Sequence, residues 1–259
     1  MLAKAIFFGA LGFLFLGMMA TQIAGHHYGA RRIARAPLAS SEGTAAVEAA
    51  LFALLGLLLA FTFSGAQTRL DARRALIVAE ANAIGTAYLR LDLLPAQSQP
   101  RLREDFRRYV DSRMTFYREL MNLRAARVER QYSAQLQQRI WNQALSAADA
   151  SEDLRAKLLV VPALNEMFDI TISRDAALRT HLPLAIFVLL LVLAFACAFF
   201  AGIGMSRRKE EPSRLHIFMF AGAMAVTAYV ILNVEFPRAG FVPLDSLDQL
   251  LSDIRSSMG

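Results

Sequence analysis

Hydrophobic residues along this chain are collected into four long blocks that contain almost no charge. The blocks cover residues 5–24, 45–65, 182–205 and 215–234. Each holds about 20 residues, which as an α-helix can cross the roughly 30 Å of hydrocarbon in a bilayer. The pattern therefore predicts four transmembrane helices in two hairpins, 1–65 and 182–236. We interpret the first block as a retained span, because no small-residue cleavage site follows it.

The residues between the hairpins, 66–181, are predicted to form a helical extramembrane domain. No proline follows Thr44 until Pro95, and the apolar period of span two continues, which indicates one helix of about 50 residues. Residues 101–150 contain neither glycine nor proline, and their apolar positions recur at helical spacing. Pro162 is expected to end a shorter helix that starts near Glu152.

The expected fold class is therefore an all-α polytopic membrane protein. Residues 237–259 form a tail with an amphipathic stretch, 244–254, that is suited to lie on the membrane surface. Composition agrees with this fold, because 56% of the residues are hydrophobic and the mean hydropathy is +0.37. We expect a cell-membrane protein, located in a bacterial inner membrane.

The basic charge of the chain is expected to face lipid rather than nucleic acid. The net charge is +6 and the pI is near 9.9, but 28 basic residues are mixed with 22 acidic ones along predicted helices. Short-loop arginines favour a cytoplasmic position for the two hairpin loops. Counting the arginines that flank the insert makes the two sides about equal, so the side of the insert stays open.

No residue pattern indicates catalysis. The chain has no Gly-rich phosphate loop, no nucleophile elbow and no Cys-x-x-Cys pair. His26 and His27 are adjacent and have no partner four residues away, so interfacial histidines are favoured over a metal site. We therefore expect no enzyme activity, no cofactor and no bound metal.

Span two carries two stripes of different character. One contains only small residues at helical spacing, which lets another helix approach closely: Ala49, Ala53, Gly56, Ala60 and Ser64. The other begins acidic, becomes apolar and ends basic: Glu48, Phe52, Leu55, Leu59, Thr62, Ala66, Arg69 and Arg73. The second stripe is the side of span two that we consider for a pathway through the membrane.

Polar residues on and beside the second stripe are candidates for the mouths of such a pathway. Glu48 is either an interfacial acid stabilised by the helix dipole or a member of an acidic ring at a pore mouth. Thr62 either lines a water path or bonds back to its own helix. Arg69, Arg73 and Arg74 either form a basic vestibule in a symmetric oligomer or anchor the helix to anionic lipid.

Three segments carry a family resemblance. Residues 58–94 read LLAFTFSGAQTRLDARRALIVAEANAIGTAYLRLDLL; residues 164–183 contain Asn165, Glu166 and Arg174; and residues 234–242 read VEFPRAGFV. These segments resemble the hallmark segment, the entry into the third span and the closing motif of the bestrophin-like domain family. The resemblance implies a layout like that of bestrophins, which are oligomeric anion channels with an apolar neck. It places Phe52, Leu55 and Leu59 in that neck and the helical domain in the cytosol.

Two functions of different class follow. The first is a homo-oligomeric ion channel that conducts inorganic anions, with span two around the axis, Phe52, Leu55 and Leu59 as the constriction, and the three arginines as the vestibule. The second is a non-conducting membrane scaffold, whose insert binds a protein partner or lipid. A secondary transporter is disfavoured, since broken spans and midplane charges are absent from the sequence.

Overall fold

A computed structural model describes residues 2–35, 42–120, 122–206, 214–237 and 245–259. Within these ranges the chain forms eight α-helices, one short 3-10 turn (Leu91–Leu93) and no strand, which confirms the all-α prediction. The helices are α1 Leu2–Arg35, α2 Glu42–Arg90, α3 Gln99–Arg118, α4 Leu123–Asp149, α5 Leu154–Arg179, α6 Leu184–Ser206, α7 Arg214–Glu235 and α8 Asp245–Ser257.

Four of these helices contain segments that are long and apolar enough to cross a membrane, namely α1, α2, α6 and α7. They coincide with the four predicted spans. Helix α2 is 49 residues long, so the prediction of one helix of about 50 residues is also confirmed. The chain is thus a polytopic membrane protein.

The chain divides into two compact units. The membrane unit comprises Met1–Leu70 and His181–Val242, and the helical unit comprises Asp71–Thr180 and Pro243–Gly259. Helix α2 therefore contributes its first part to the membrane unit and its last part to the helical unit.

The membrane unit is held by a close crossing of α1 and α6. A Cβ atom at Gly25 would overlap the carbonyl oxygen of Phe199, and one at Gly202 would overlap the carbonyl oxygen of Gln22. A Cβ atom at Gly29 would overlap the hydroxyl of Ser206. Because helices in lipid associate by packing rather than by hydrophobicity, glycines that bring two backbones together set where they cross.

The helical unit has a conventional hydrophobic core to which α2, α3, α4, α5 and α8 contribute. Its fully buried members include Ile84, Phe106, Leu136, Ile140 and Met167. Two of its helices begin with a side-chain cap, since Asn122 accepts a hydrogen bond from the Ala125 amide and Asp153 from the Arg155 amide.

Helix α5 passes through Pro162 instead of ending there, which corrects the prediction for this segment. Proline lacks the amide that would bond to the carbonyl of Leu158. Arg90 of α2 donates to the adjacent carbonyl of Leu159 at 2.9 Å, so a side chain supplies a donor beside the interruption. Val160, Ala163 and Leu164 beside Pro162 are buried in the core of the helical unit, so tertiary packing offsets the local preference.

The amphipathic stretch near the C-terminus forms α8, and its apolar face packs on the helical unit. Leu251 is buried, and the Met258 carbonyl accepts hydrogen bonds from Tyr88 at 2.9 Å and from Arg107 at 3.0 and 3.1 Å. The apolar face that we expected to lie on the membrane surface is thus covered by protein.

The α1–α6 crossing yields a test with a matched control. Gly202→Ala should lower the unfolding free energy by about 1–3 kcal/mol, because the new methyl group meets backbone that cannot move aside. Gly204→Ala, two residues away on the same helix, should be tolerated, since nothing lies within 4 Å of a Cβ there. Thermal unfolding of the two variants in detergent measures the difference, and equal midpoints would contradict the crossing.

Candidate functional site

The membrane part of α2 has one side that packs inside the chain, and we call this the packed face. It consists of Phe52, Leu55, Leu59, Thr62 and Ala66. Leu55 is only 3% exposed and packs with Leu193 and Cys197 of α6. The ring of Phe52 meets that of Phe220 on α7, with centroids 5.8 Å apart. These contacts turn the packed face toward the interior of the membrane unit.

The opposite side of α2 is not covered by the residues that the structure describes, and we call it the uncovered face. It is centred on Ala53, Leu57, Ala60 and Ser64, all of which are exposed. Leu57 is 53% exposed, and the space around Gly56 is open to 4 Å. The small-residue stripe identified in the sequence therefore belongs to the uncovered face. Residues 49–68 contain no charge, so this face is uncharged across the membrane part of α2.

The structure places the three residues of the predicted constriction on the packed face of α2. Phe52, Leu55 and Leu59 were assigned to an axis shared by several copies, but Leu55 is enclosed by α6 of its own chain, with Phe52 and Leu59 at its side. Thr62 is buried as well, and its hydroxyl donates to the carbonyl of Leu58 at 2.7 Å. The hydroxyl thus makes its hydrogen bond within α2, as expected for a hydroxyl that bonds back to its own helix.

Glu48 is half-buried and lies deeper in α2 than the sequence indicated. The helix begins at Glu42 instead of near Ala45. Glu48 is therefore beyond the first four residues, whose free amide groups carry most of the positive end of the dipole. The dipole explanation for this carboxylate loses its support.

Arg69 forms an ion pair that we did not predict. Its Nε and Nη2 donate to Oε2 of Glu235 at 3.0 and 2.7 Å. Glu235 is 1% exposed, and its other oxygen accepts from the amide of Leu182 at 3.1 Å and lies 3.4 Å from Nδ1 of His181. One carboxylate at the end of α7 therefore ties α2 to the segment that leads into α6.

The sequence contained a signal for this pair, because both residues occur in segments that carry the family resemblance. Arg69 and Glu235 are 166 positions apart, so the sequence alone did not identify them as partners.

The other two arginines of the predicted vestibule behave differently from each other. Arg73 is buried and donates to the carbonyls of Ala177 at 3.1 Å and Thr180 at 2.8 Å, at the end of α5. A guanidinium at the C-terminal end of a helix satisfies its last carbonyls and its dipole. Arg74 is 39% exposed and lies 3.6 Å from Asp71, one turn earlier in α2. Arg74 is thus the most exposed of the three.

A buried ionic cluster in the helical unit was missed by the sequence analysis, and we call it the Glu80 cluster. Arg113 donates from Nε to Oε1 of Glu80 at 2.8 Å, and the hydroxyl of Tyr117 donates to Oε2 at 2.9 Å. Arg174 also donates to Oε2, and its guanidinium lies 3.5 Å from the centre of the Tyr117 ring. All four side chains are less than 5% exposed.

Electrostatics keep this cluster ionised. Burial raises the pKa of Glu80, but the charges and hydrogen bonds of Arg113 and Arg174 outweigh burial and hold the pKa below its ordinary value of 4.5. Burial, followed by the Glu80 carboxylate, raises the pKa of the Tyr117 hydroxyl well above its ordinary value of 10.0. Tyr117 therefore remains a neutral donor, and the cluster joins α2, α3 and α5. Its signal in the sequence was Glu80 on the apolar side of α2, between Ile77 and Ile84.

An apolar cavity of about 260 Å³ lies within the membrane unit. All four membrane helices line it: α1 through Ala10, Leu11 and Leu14; α2 through Leu59 and Thr62; α6 through Phe187, Leu190, Leu191 and Ala194; and α7 through Met224, Ala228, Ile231 and Leu232. The cavity is half-enclosed and has no charged lining residue. Leu59 and Thr62, which the sequence assigned to a pore, thus border an internal space.

The part of the chain that the structure describes contains no cluster of metal ligands. No group of three or more His, Cys, Asp or Glu side chains is placed there to hold an ion. His27 lies on the exposed side of α1, with Nδ1 2.8 Å from the carbonyl of Ile23.

The chain was compared with models of known protein families. The model described as Bestrophin-like domain matches residues 16–245. The match includes α2 to α7, the Glu80 cluster and the Arg69–Glu235 pair. No curated protein and no solved structure matched the chain.

The Glu80 cluster makes stability depend on pH in a defined direction. Because the folded state lowers the pKa of Glu80, the group contributes stability above about pH 4.5. That contribution is lost as the pH falls further, through the lowered folded-state pKa. Glu80→Gln should remove this acid dependence and lower the unfolding free energy by about 3–5 kcal/mol, because two buried arginines lose their counter-charge.

The matched control is Glu104→Gln, which removes an exposed carboxylate that pairs with Arg107 and Arg108 on the surface of α3. It should change stability little, because exposed pairs are screened by solvent. Denaturant titration monitored by the single tryptophan, Trp141, reports on the helical unit. If Glu80→Gln unfolded at the same denaturant concentration as Glu104→Gln, the cluster would not support the fold.

Proposed function

The chain belongs to the bestrophin-like domain family, and from that premise we propose that it is a homo-oligomeric membrane ion channel with α2 lining the pore. The observation that carries this proposal is the uncovered face of α2. A transmembrane helix with one side packed in its own chain has the other side available to face a shared axis. Ala53, Leu57, Ala60 and Ser64 would then line the pathway.

The proposed constriction is at Leu57. It is the largest of the four residues at the centre of the uncovered face, and its neighbours Ala53 and Ala60 leave room beside it. A ring of leucine side chains forms an apolar narrowing that gates by excluding water, which requires neither a charged group nor a catalytic residue. The proposal thus moves the narrowing by two residues, from Leu55 to Leu57, and with it to the opposite face of α2.

The proposed ion is an inorganic anion, attracted by basic residues beyond the membrane. Among the three arginines of the predicted vestibule, Arg69 pairs with Glu235 and Arg73 donates to backbone carbonyls. Arg74 has the more exposed side chain, and its partner Asp71 is 3.6 Å away, which leaves part of its field unscreened. Anion preference is therefore assigned to Arg74. We further propose a bacterial inner membrane as the location, and no enzymatic activity.

A non-conducting scaffold is the second candidate, and the small residues of the uncovered face favour it. Ala49, Ala53, Gly56 and Ala60 would let α2 of a second copy approach closely and seal the face. The two candidates differ in symmetry. Imaging of the detergent-solubilised protein that gave a ring around an opening would favour the channel, whereas a closed dimer would favour the scaffold.

Two leucines on opposite faces of α2 test the channel. Leu57→Ala should increase single-channel conductance or the open fraction, because it widens and wets the narrowing. Leu55→Ala should leave conductance per channel unchanged and lower stability by about 2–5 kcal/mol, because it opens a cavity against α6. Planar-bilayer recording and thermal unfolding measure the two effects. If neither wild type nor Leu57→Ala conducted ions in planar bilayers, the channel proposal would be wrong.

The assignment of anion preference to Arg74 is tested separately. In a salt gradient, Arg74→Gln should move the reversal potential away from the anion equilibrium value, and more strongly at low ionic strength, because salt screens exposed charges. Arg127→Gln, which removes an exposed charge from α4, is the control and should leave the potential unchanged. An unchanged reversal potential in Arg74→Gln would show that another group attracts the anion.

A further inference from the structure

The cavity in the membrane unit is lined by apolar side chains and by Thr62. Of its lining residues, Thr62 is the one with a side-chain hydroxyl, and that hydroxyl already donates to the carbonyl of Leu58 at 2.7 Å. No lining side chain therefore offers a polar ligand a free hydrogen-bond donor. Cavities with apolar walls stay dry and accept apolar molecules, whereas a water molecule needs two to four polar partners.

We propose that this cavity binds one acyl chain of a membrane lipid. The four helices that line the cavity are the membrane spans, so the hydrocarbon core of the bilayer surrounds them. A molecule that enters the cavity from this region is a lipid acyl chain. Its volume of about 260 Å³ exceeds the roughly 150 Å³ of an apolar protein cavity that admits benzene. A half-enclosed shape suits a lipid, because one chain can enter while the headgroup stays outside.

The depth of the cavity indicates which part of the chain it holds. Thr62 precedes Arg69 by seven residues on α2, a distance of about 10 Å along the helix axis. Arg69 pairs with Glu235 beyond residues 49–68 of α2, which carry no charge, so this pair marks the end of the uncharged part of α2. The cavity therefore meets the middle of an acyl chain rather than a headgroup.

The bound chain would complete the packing of the membrane unit. Leu59 and Thr62 of α2 line the cavity together with Leu191 of α6 and Ala228 of α7, and an acyl chain would add contacts to these side chains. Such a lipid would hold the packed face of α2 in place. This inference does not depend on whether the protein conducts ions.

Photolabelling of the full-length protein tests the site. The protein is placed in nanodiscs of phosphatidylcholine that carries a diazirine in the middle of one acyl chain, then irradiated, digested and analysed by mass spectrometry. Labels should concentrate on lining residues such as Leu191 and Ala228. Exposed residues of α7 such as Val226, which is 62% exposed, should carry fewer.

Variants that fill the cavity show whether the labels report binding. Ala228→Phe should abolish labelling of the lining residues, and Ala10→Phe should do so from α1 if the first variant fails to fold. Ala223→Phe is the matched control, because Ala223 is on α7 but exposed, and it should leave the labels unchanged. Labels spread evenly over lipid-facing positions, or labels retained in both filled variants, would overturn the proposal, as would cross-links that place a segment of another copy in the cavity.

Discussion

Much of this structure depends on the constraint that a helix packs best along a single side. Buried residues recur at three-, four- and seven-residue steps along α2 and into the 3-10 turn that follows it: Leu55, Thr62, Ala66, Arg73, Ile77, Glu80, Ile84 and Leu91. A period of 3.6 residues keeps these positions on one side of the helix. The residues left exposed, from Ala53 to Leu89, follow the same period on the other side. Packing of α2 inside the chain therefore determines which residues any partner or pathway can meet.

The buried side of α2 changes chemistry along its length, and each change has a partner on another element. It is apolar against α6, and then presents Arg69 to Glu235, Arg73 to the end of α5, and Glu80 to Arg113 and Arg174. Removing one member of a buried pair costs more than the pair contributes, because the other charge is left uncompensated. Within each unit, these contacts therefore specify one alignment of α2 against its neighbours and penalise a shift along the axis.

Helical period and hydrocarbon length were sufficient to predict the four spans, the 49-residue helix and the all-α class from sequence. They could not identify which side of α2 packs inside the chain, because Leu55 and Leu57 are chemically the same and only the position of α6 distinguishes them. Glu235 and Arg69 are 166 positions apart, so their pairing required the fold. The continuation of α5 through Pro162 was not predicted for a related reason. A side chain from α2 lies beside the carbonyl that loses its hydrogen bond, and rules based on local sequence do not include such contacts.

The distribution of charge on α2 limits how a pathway along this helix could select ions. Its arginines at 69 and 73 are engaged on the packed side, and residues 49–68 bear no charge. A pathway lined by the uncovered face would therefore oppose cations and anions alike within the membrane, through the cost of removing their water. Discrimination between the two would arise beyond the apolar part, where Asp71 and Arg74 lie 3.6 Å apart and half-exposed. Opposite charges at that distance leave mainly a dipole, whose field falls off faster than that of a single charge. Selectivity from this source would be modest and sensitive to salt, in contrast to a barrier that depends only on the size and apolarity of the narrowing.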